Sequence, residues 1–396
     1  MSAAAVMEPV DLNTAKWSPQ QEHALEEVDR WLKNGPGKGS TPQIFRLFGF
    51  AGTGKTTLAR ELAEKAGGSV LFATFTGKAS LVLQSKGCWG ASTIHSLIYK
   101  PEQDPITGEF TFKLNPESEL STAKLLIIDE VSMVGEELAQ DLLSFRKPIL
   151  VLGDPAQLPP VKDTGFFINA KPDVMLTEVH RQARDNPIIH LSMMVREGKR
   201  LQPGTYGETR LFDRATCDRL TVWTDVSNAD QLLCGMNKTR AHSNTKIRRE
   251  AGLAKEGDPK EWLPVMGDRL ICLRNNREHG ILNGMLFDCI NSELAIHKKL
   301  PGAKMRVKSL DQPNRQPIDV NTPREFFEGK EADLDWRAIV DHQQFTFGWA
   351  ITCHKAQGSQ WPHVGIINEA HVFREDADKW LYTAITRASE RVTMVL

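Results

Sequence analysis

Residues 49–56 read Gly-Phe-Ala-Gly-Thr-Gly-Lys-Thr, the spacing G-x-x-x-x-G-K-T that suits a polyphosphate. Gly49, Gly52 and Gly54 let the backbone close around an anion with successive N–H groups turned inward, and Thr53 lies inside that turn. Lys55 is placed to reach the β- and γ-phosphates and the Thr56 hydroxyl to hold Mg²⁺, with Thr57 completing the set expected to bind ATP. The same string also fits a turn that only joins a strand to a helix. Residues 124–130 set two acids after an apolar run. Asp129 suits the Mg²⁺ shell, and Glu130 suits positioning or deprotonating an attacking water. A solvated acidic strand end is the plainer alternative. A third apolar run, 149–152, leads into a Pro-rich segment carrying Gln157. This neutral donor and acceptor can sense a γ-phosphate and report its loss.

Such residues act together only if something holds them together. Residues 44–48 are a short apolar strand and 57–63 have helical composition, so the glycine loop sits between strand and helix. The runs before Asp129 and Gln157 read as buried parallel strands, and an open α/β sheet binds its ligands at the carboxyl ends of such strands.

With 396 residues the chain exceeds a single core and is expected to form two or three domains. A formal net charge of −1 excludes a protein basic all over, so a nucleic-acid partner requires a local basic groove. Residues 1–15 read as a frayed terminus rather than a signal peptide, and no stretch is apolar enough to span a bilayer. Six scattered cysteines without a C-x-x-C pair read as buried reduced thiols, which points to a cytoplasmic protein with no membrane partner.

The series GFAGTGKT (49–56), LLIIDEVSM (125–133), GDPAQLPPV (153–161), FTFGWAITCHKAQGSQW (345–361) and YTAITRASERV (382–392) resembles the superfamily 1 nucleic-acid helicases, in particular their RecD/Dda-like branch. The resemblance covers nearly the whole chain in the family's motif order. It implies an α/β fold of two RecA-like parallel-sheet lobes. The first would span 1–175, with a β-hairpin insertion at about 98–121. The second would span 176–396, with a small SH3-like β insertion at about 262–340.

By the same resemblance Gln21 would contact adenine, although an ordinary N-capped helix fits residues 18–25 as well. Thr76, Lys78, Thr93, His95, Asn237, Thr352 and His354 would contact the nucleic-acid strand, and Gly358 the nucleotide. Thr93 could instead simply cap a helix. Arg181 and Arg387 would be the arginines that act on the phosphoryl group. Gln360 stands where related helicases often carry Glu, which puts a carboxylate contact from that position in doubt.

Residues 98–113 alternate around a Pro/Gly turn and read as a hairpin, with Phe110 and Phe112 on one face. In the resembled branch this hairpin is the pin that splits a duplex; its aromatic face could equally pack onto the first lobe. Lys246, Arg248 and Arg249 read as a solvated helix face.

The expected activity is that of an ATP- and Mg²⁺-dependent DNA helicase and single-strand translocase, moving 5′ to 3′ by resemblance. The expected partners are single-stranded DNA, duplex forks and a single-strand-binding or replication/recombination protein, and the expected state is a monomer. A nucleic-acid-stimulated ATPase that remodels protein–DNA complexes without unwinding, or an RNA helicase, are the alternatives.

Overall fold

The computed structural model describes residues 17–103, 110–160, 165–179, 186–276 and 279–396. The chain divides into two units. One comprises the residues up to Phe75 and Ala79–Asp185; the other comprises Thr76–Lys78 and Asn186–Leu396.

The first unit begins with helix α1 (Pro19–Lys33), started by a capping box between Ser18 and Gln21. Its buried Ala24, Leu25, Val28 and Trp31 follow helical spacing and face the sheet. Then follow β1 (Ile44–Gly49), α2 (Lys55–Ala66), β2 (Val70–Thr74), α3 (Gly77–Ser85), β3 (Ser92–Thr93), α4 (Ile94–Ile98), the hairpin strands β4 (Tyr99–Gln103) and β5 (Phe110–Leu114), β6 (Leu125–Asp129), α5 (Glu136–Ser144), β7 (Ile149–Gly153) and β8 (Val174–Leu176). Six strands form a wholly parallel sheet in the order β3-β2-β6-β7-β1-β8.

Both faces of this sheet are covered, which is why β6 and β7 are continuous apolar runs rather than alternating ones. Fully burying each large apolar side chain there contributes about 1.5–3 kcal/mol. The hairpin pairs Tyr99 with Leu114 through Gln103 with Phe110. Its connecting residues 104–109 lie outside the described residues.

The second unit contains α6 (Pro187–Arg196), β9 (Gly204–Tyr206), β10 (Thr209–Phe212), α7 (Arg219–Ser227), β11 (Gln231–Cys234) and α8 (Asn237–Glu250). An antiparallel stretch follows, with β12 (Arg269–Cys272), β13 (Leu286–His297), β14 (Leu300–Ser309), β15 (Ile318–Pro323), the short helices α9 (Glu325–Glu328) and α10 (Trp336–Ile339), and β16 (Phe345–Phe347). These five strands form their own sheet, ordered β15-β14-β13-β12-β16. The chain then returns through β17 (Ala350–Thr352), α11 (Cys353–Ala356), β18 (Trp361–Ile367), α12 (Ala377–Ile385) and β19 (Ala388–Val395). The main sheet of this unit is ordered β17-β11-β18-β19-β10-β9, parallel except for the β9–β10 pair.

The basic cluster on α8 is not a solvated face. Arg248 is 2% exposed and pairs with the fully buried Asp268, its guanidinium lying 3.9 Å from the Phe347 ring centroid. Arg249 pairs with Glu256 and Glu261, and the Lys246 ammonium sits 3.8 Å from the Trp223 ring centroid. These side chains fasten α8 to its surroundings. Helical period identified the helix but could not reveal the acids and rings brought to it from later in the chain. All six cysteines are free thiols.

Candidate functional site

The glycine loop connects β1 directly to α2. Gly52 and Gly54 have φ of 77° and 81°, the left-handed region that glycine adopts without strain. A Cβ on Gly54 would lie 2.6 Å from Gln21 Nε2, and one on Gly49 would lie 2.7 Å from Thr53 Oγ1 and 2.8 Å from Leu176 Cβ. No larger residue fits either position with the neighbours in place. Because α2 starts at Lys55, the unsatisfied N–H groups and positive dipole end of a 12-residue helix converge on the loop, as an anion site requires.

Lys55 lies along the loop, its Nζ donating to Gly49 O at 2.6 Å and Phe50 O at 3.0 Å. The Thr56 hydroxyl donates to Asp129 Oδ2 at 3.1 Å, and Asp129 Oδ1 accepts from Glu130 N at 2.8 Å. A hydroxyl and a carboxylate meeting at the end of β6 are the oxygen donors that a hard divalent cation selects. Glu130 holds φ 56° and ψ 46°, a left-handed conformation that costs a non-glycine residue about 1–3 kcal/mol and is concentrated at functional sites. Gln157 is 8% exposed, and its Oε1 has no hydrogen-bond partner among the described residues. A buried amide oxygen left without a donor is costly, so a bound ligand or water that supplies one is favoured there. Thr57, on the first turn of α2, is exposed.

Gln21 braces the loop. It is 3% exposed, its Nε2 donates to Thr53 O at 3.1 Å, and its Oε1 accepts from Ser18 N at 3.0 Å. As placed, both ends of the amide are engaged within the protein rather than presented to a base. Gln21→Ala therefore is expected to raise the KM for ATP several-fold by loosening the loop, at about 1–3 kcal/mol for the orphaned carbonyl. Preference for ATP over GTP is expected to stay unchanged. A steady-state comparison of the two nucleotides decides this, and lost adenine preference would restore the base-contact role. The neighbouring Gln20, which the sequence did not single out, ties α1 to the end of β8 through Thr177 N and Oγ1 and Glu178 N.

In the second unit Arg387 is 6% exposed, and its guanidinium donates to Thr383 O, Ser359 O and Thr386 Oγ1 at 3.2–3.4 Å. It is a fixed, preorganised cation at the end of α12. Gly358 follows α11 with φ 74°. Arg181 lies outside the described residues.

The strands β3-β2-β6-β7-β1 and β17-β11-β18-β19-β10 follow the same connection order, and this brings the expected strand-contact residues into equivalent places. β3 and β17 are the outermost strands at the same side of their sheets, and each ends in a threonine that caps a short helix. Thr93 accepts from Ser96 N at 3.1 Å, and Thr352 accepts from Lys355 N at 3.4 Å. The plain capping role is therefore real for both. Two residues on, His95 and His354 occupy matching positions, His95 with its ring 5.8 Å from that of Phe75 and His354 with its ring 5.6 Å from that of Phe373. Burial pushes the His354 imidazole below its usual range, so at neutral pH it is a neutral hydrogen-bond partner. Beside β17, β11 delivers the exposed Asn237 at the start of α8.

Thr76 is half-buried, but Lys78 is 6% exposed, with its ammonium 3.2 Å from Asp311 and 4.5 Å from the Trp361 ring centroid. It is not a free cation awaiting a phosphate. The sequence could not anticipate Asp311, which arrives from the antiparallel insertion. On the hairpin, Phe112 is 65% exposed, so this ring is not used to pack the hairpin down. The placement of the Phe110 side chain lies outside what is described.

Residues 38–210 match the family described as an AAA domain, and residues 347–395 match the UvrD-like helicase C-terminal domain. The ATP-dependent RecD2 DNA helicase of Deinococcus radiodurans is 30% identical over 374 residues, 87% of this chain and 46% of that protein. An uncharacterized protein of Acanthamoeba polyphaga mimivirus is 33% identical over 178 residues, 36% of this chain and 35% of that protein. The chain thus spans less than half the length of these curated relatives. Among solved structures, Bacteroides Pif1 bound to ssDNA superposes with a TM-score of 0.58 at 20% identity, covering 96% of this chain and 92% of that one. Candida albicans Pif1 helicase gives 0.53 at 16% identity, covering 96% and 94%. These likenesses show the same fold, two RecA-like parallel sheets in an α/β protein. The motifs thus stand in the order of the superfamily 1 helicases, on a chain that is similar to a RecD2 DNA helicase over 374 residues and has the fold of the Pif1 structures.

Proposed function

We propose that the chain is an ATP- and Mg²⁺-dependent DNA helicase and single-strand translocase that moves 5′ to 3′. The observation that carries this reading is the repeated threonine-cap and histidine arrangement at the outermost strand of each parallel sheet, combined with a glycine loop in the first unit. Each cradle suits a phosphate of a single strand, while nucleotide turnover belongs to the first unit. Short hydroxyls, helix-start amides and neutral imidazoles hold a backbone without reading its bases. The DNA substrate follows a relative named an ATP-dependent DNA helicase, and the polarity follows the motif resemblance to the RecD/Dda-like branch alone.

In this mechanism the loop amides and Lys55 bind the β- and γ-phosphates, Thr56 and Asp129 hold Mg²⁺, and Glu130 orients and deprotonates the attacking water. When bound, Mg²⁺ held by Thr56 and Asp129 would supply positive charge at the phosphates. Gln157 senses the γ-phosphate, and Arg387 is the arginine that would stabilise charge on the transferring phosphoryl group. Phe112 is the exposed ring with which the hairpin meets a fork.

Duplexes with 5′ or 3′ single-stranded tails, in DNA and RNA versions, test the proposal. Unwinding only from the 5′-tailed DNA, with ATPase strongly stimulated by single strands, is expected. Stimulated ATPase that displaces bound protein but opens no duplex would establish the remodelling alternative, and opening of RNA alone would move the substrate class. Phe112→Ala is expected to keep stimulated ATPase while lowering unwinding per ATP several-fold, because base stacking on an aromatic is worth about 1–3 kcal/mol, comparable to one base-pair step. Unchanged unwinding per ATP would remove the ring from the fork.

A further inference from the structure

Glu369 follows β18 as Glu130 follows β6, an acid placed just beyond the end of an apolar strand. No motif assigns it a role. It is 7% exposed, and its carboxylate is fully engaged: Oε2 accepts from Gly235 N at 2.7 Å and Met236 N at 2.9 Å, and Oε1 accepts from the Thr239 hydroxyl at 2.5 Å. These donors are the last turn before α8 and its first turn, so the carboxylate sits against the positive end of a 14-residue helix. The approach is tight. A Cβ on Gly235 would lie 2.8 Å from Phe373 and 3.0 Å from Glu369 Cβ, which accounts for a glycine between β11 and α8.

The residues around this carboxylate are those expected to hold a strand. Cys234, the last residue of β11, is paired in register with Thr352, and Asn237 opens α8. Phe373, four residues after Glu369, lies between the His354 ring at 5.6 Å and the Trp380 ring at 5.7 Å, nearly parallel to the latter at 18°. Trp380 is on α12, whose end carries Arg387. The segment that begins with Glu369 therefore fixes Asn237 from one side and His354 from the other, and is anchored on the helix that leads to Arg387.

We propose that Glu369 is a positioning residue for strand binding: its carboxylate locks the start of α8 so that Asn237 and, through Phe373, His354 face one nucleic-acid backbone. A negative charge beneath a polyanion is unfavourable unless neutralised. Three donors and the helix dipole neutralise this one, so it shapes the cradle without repelling the strand. This inference rests on reading the second unit as strand-binding.

The test uses the full chain, a fluorescent single-stranded oligonucleotide and a fluorescent ATP analogue. Glu369→Ala leaves two amides and a hydroxyl, all part-buried, without this acceptor, and is expected to weaken oligonucleotide binding about ten-fold or more. Glu369→Gln keeps an acceptor oxygen for the amides and is expected to stay within about three-fold of the unmodified protein. Affinity for the ATP analogue is expected to be unaltered in both. Exchanging chloride for acetate at constant ionic strength is expected to restore part of the alanine variant's affinity, because acetate fits the vacated carboxylate position. A purely structural cap predicts otherwise: strand and ATP-analogue affinities would fall together with the unfolding temperature, and acetate would not separate them. That result, or full strand affinity in Glu369→Ala, overturns the proposal. If the unmodified protein binds no single strand, the strand-binding reading fails first and this inference falls with it.

Discussion

Lys55→Ala is expected to abolish ATP turnover, with kcat lowered by at least about 10²–10³, because removing a preorganised charge from a transition state costs several kcal/mol. The structure separates this effect from folding. Among the described residues Lys55 Nζ bonds to the loop carbonyls of Gly49 and Phe50 and to no carboxylate, so its loss strands no buried charge there. The unfolding temperature should stay within a few degrees of the unmodified protein. Phosphate release measured at saturating single-stranded DNA and millimolar ATP is the relevant assay. An alanine variant retaining a tenth or more of the activity would mean that another cation serves the phosphates.

Asp268→Ala is expected to be among the most destabilising single changes in the second unit, at about 3–5 kcal/mol, since it leaves the Arg248 guanidinium buried and uncompensated. Asp268 is fully buried and accepts from Arg248 Nε at 2.8 Å, Arg248 Nη2 at 2.9 Å and Val265 N at 2.8 Å. Arg248 in turn donates to the carbonyls of Glu261 and Leu263, so one ion pair fastens α8, the 253–268 loop and the start of β12. Removing both charges, as Arg248→Met with Asp268→Leu, should cost less than the sum of the single changes, because no lone buried charge remains. Urea titration followed by tryptophan fluorescence reports this, and Trp349 Nε1 itself donates to Asp268 Oδ1 at 3.4 Å. A shift below about 1 kcal/mol for Asp268→Ala would show that the pair is solvated in solution.

Much of the first unit was legible because its chemistry dictates its spelling. A glycine loop must sit between strand and helix, and doubly covered parallel strands must be continuous apolar runs. β1, β6 and β7 and the Thr56–Asp129 pair follow from that. What escaped was set by contacts between distant residues. Gln21 carries an amide suited to a base, and the sequence could not show that the same amide also bonds Ser18 and Thr53. Lys78 has the composition of a phosphate contact, but Asp311 and Trp361 come from far along the chain to bury it. Arg248 looked solvated for the same reason. Glu369 had a visible signal, an apolar run ending in an acid, which without a companion glycine loop pointed to no chemistry.

The strand order of the second main sheet also governs how the molecule can be made. β19 (Ala388–Val395) lies between β18 and β10, and Phe212 in β10 pairs with Val395. The first sheet has all its strands once residue 176 has emerged, so that unit can close early during synthesis. The second sheet cannot. At roughly 5–20 residues per second, β10 must wait on the order of ten to forty seconds for the strand that covers it, with only its short antiparallel neighbour β9 in place. During that interval the five-stranded insertion, built mainly from sequence-adjacent antiparallel neighbours, can form on its own. The nascent chain therefore carries a finished first unit, a finished insertion and an open sheet edge at once. That edge is where chaperone capture or premature association would act during translation.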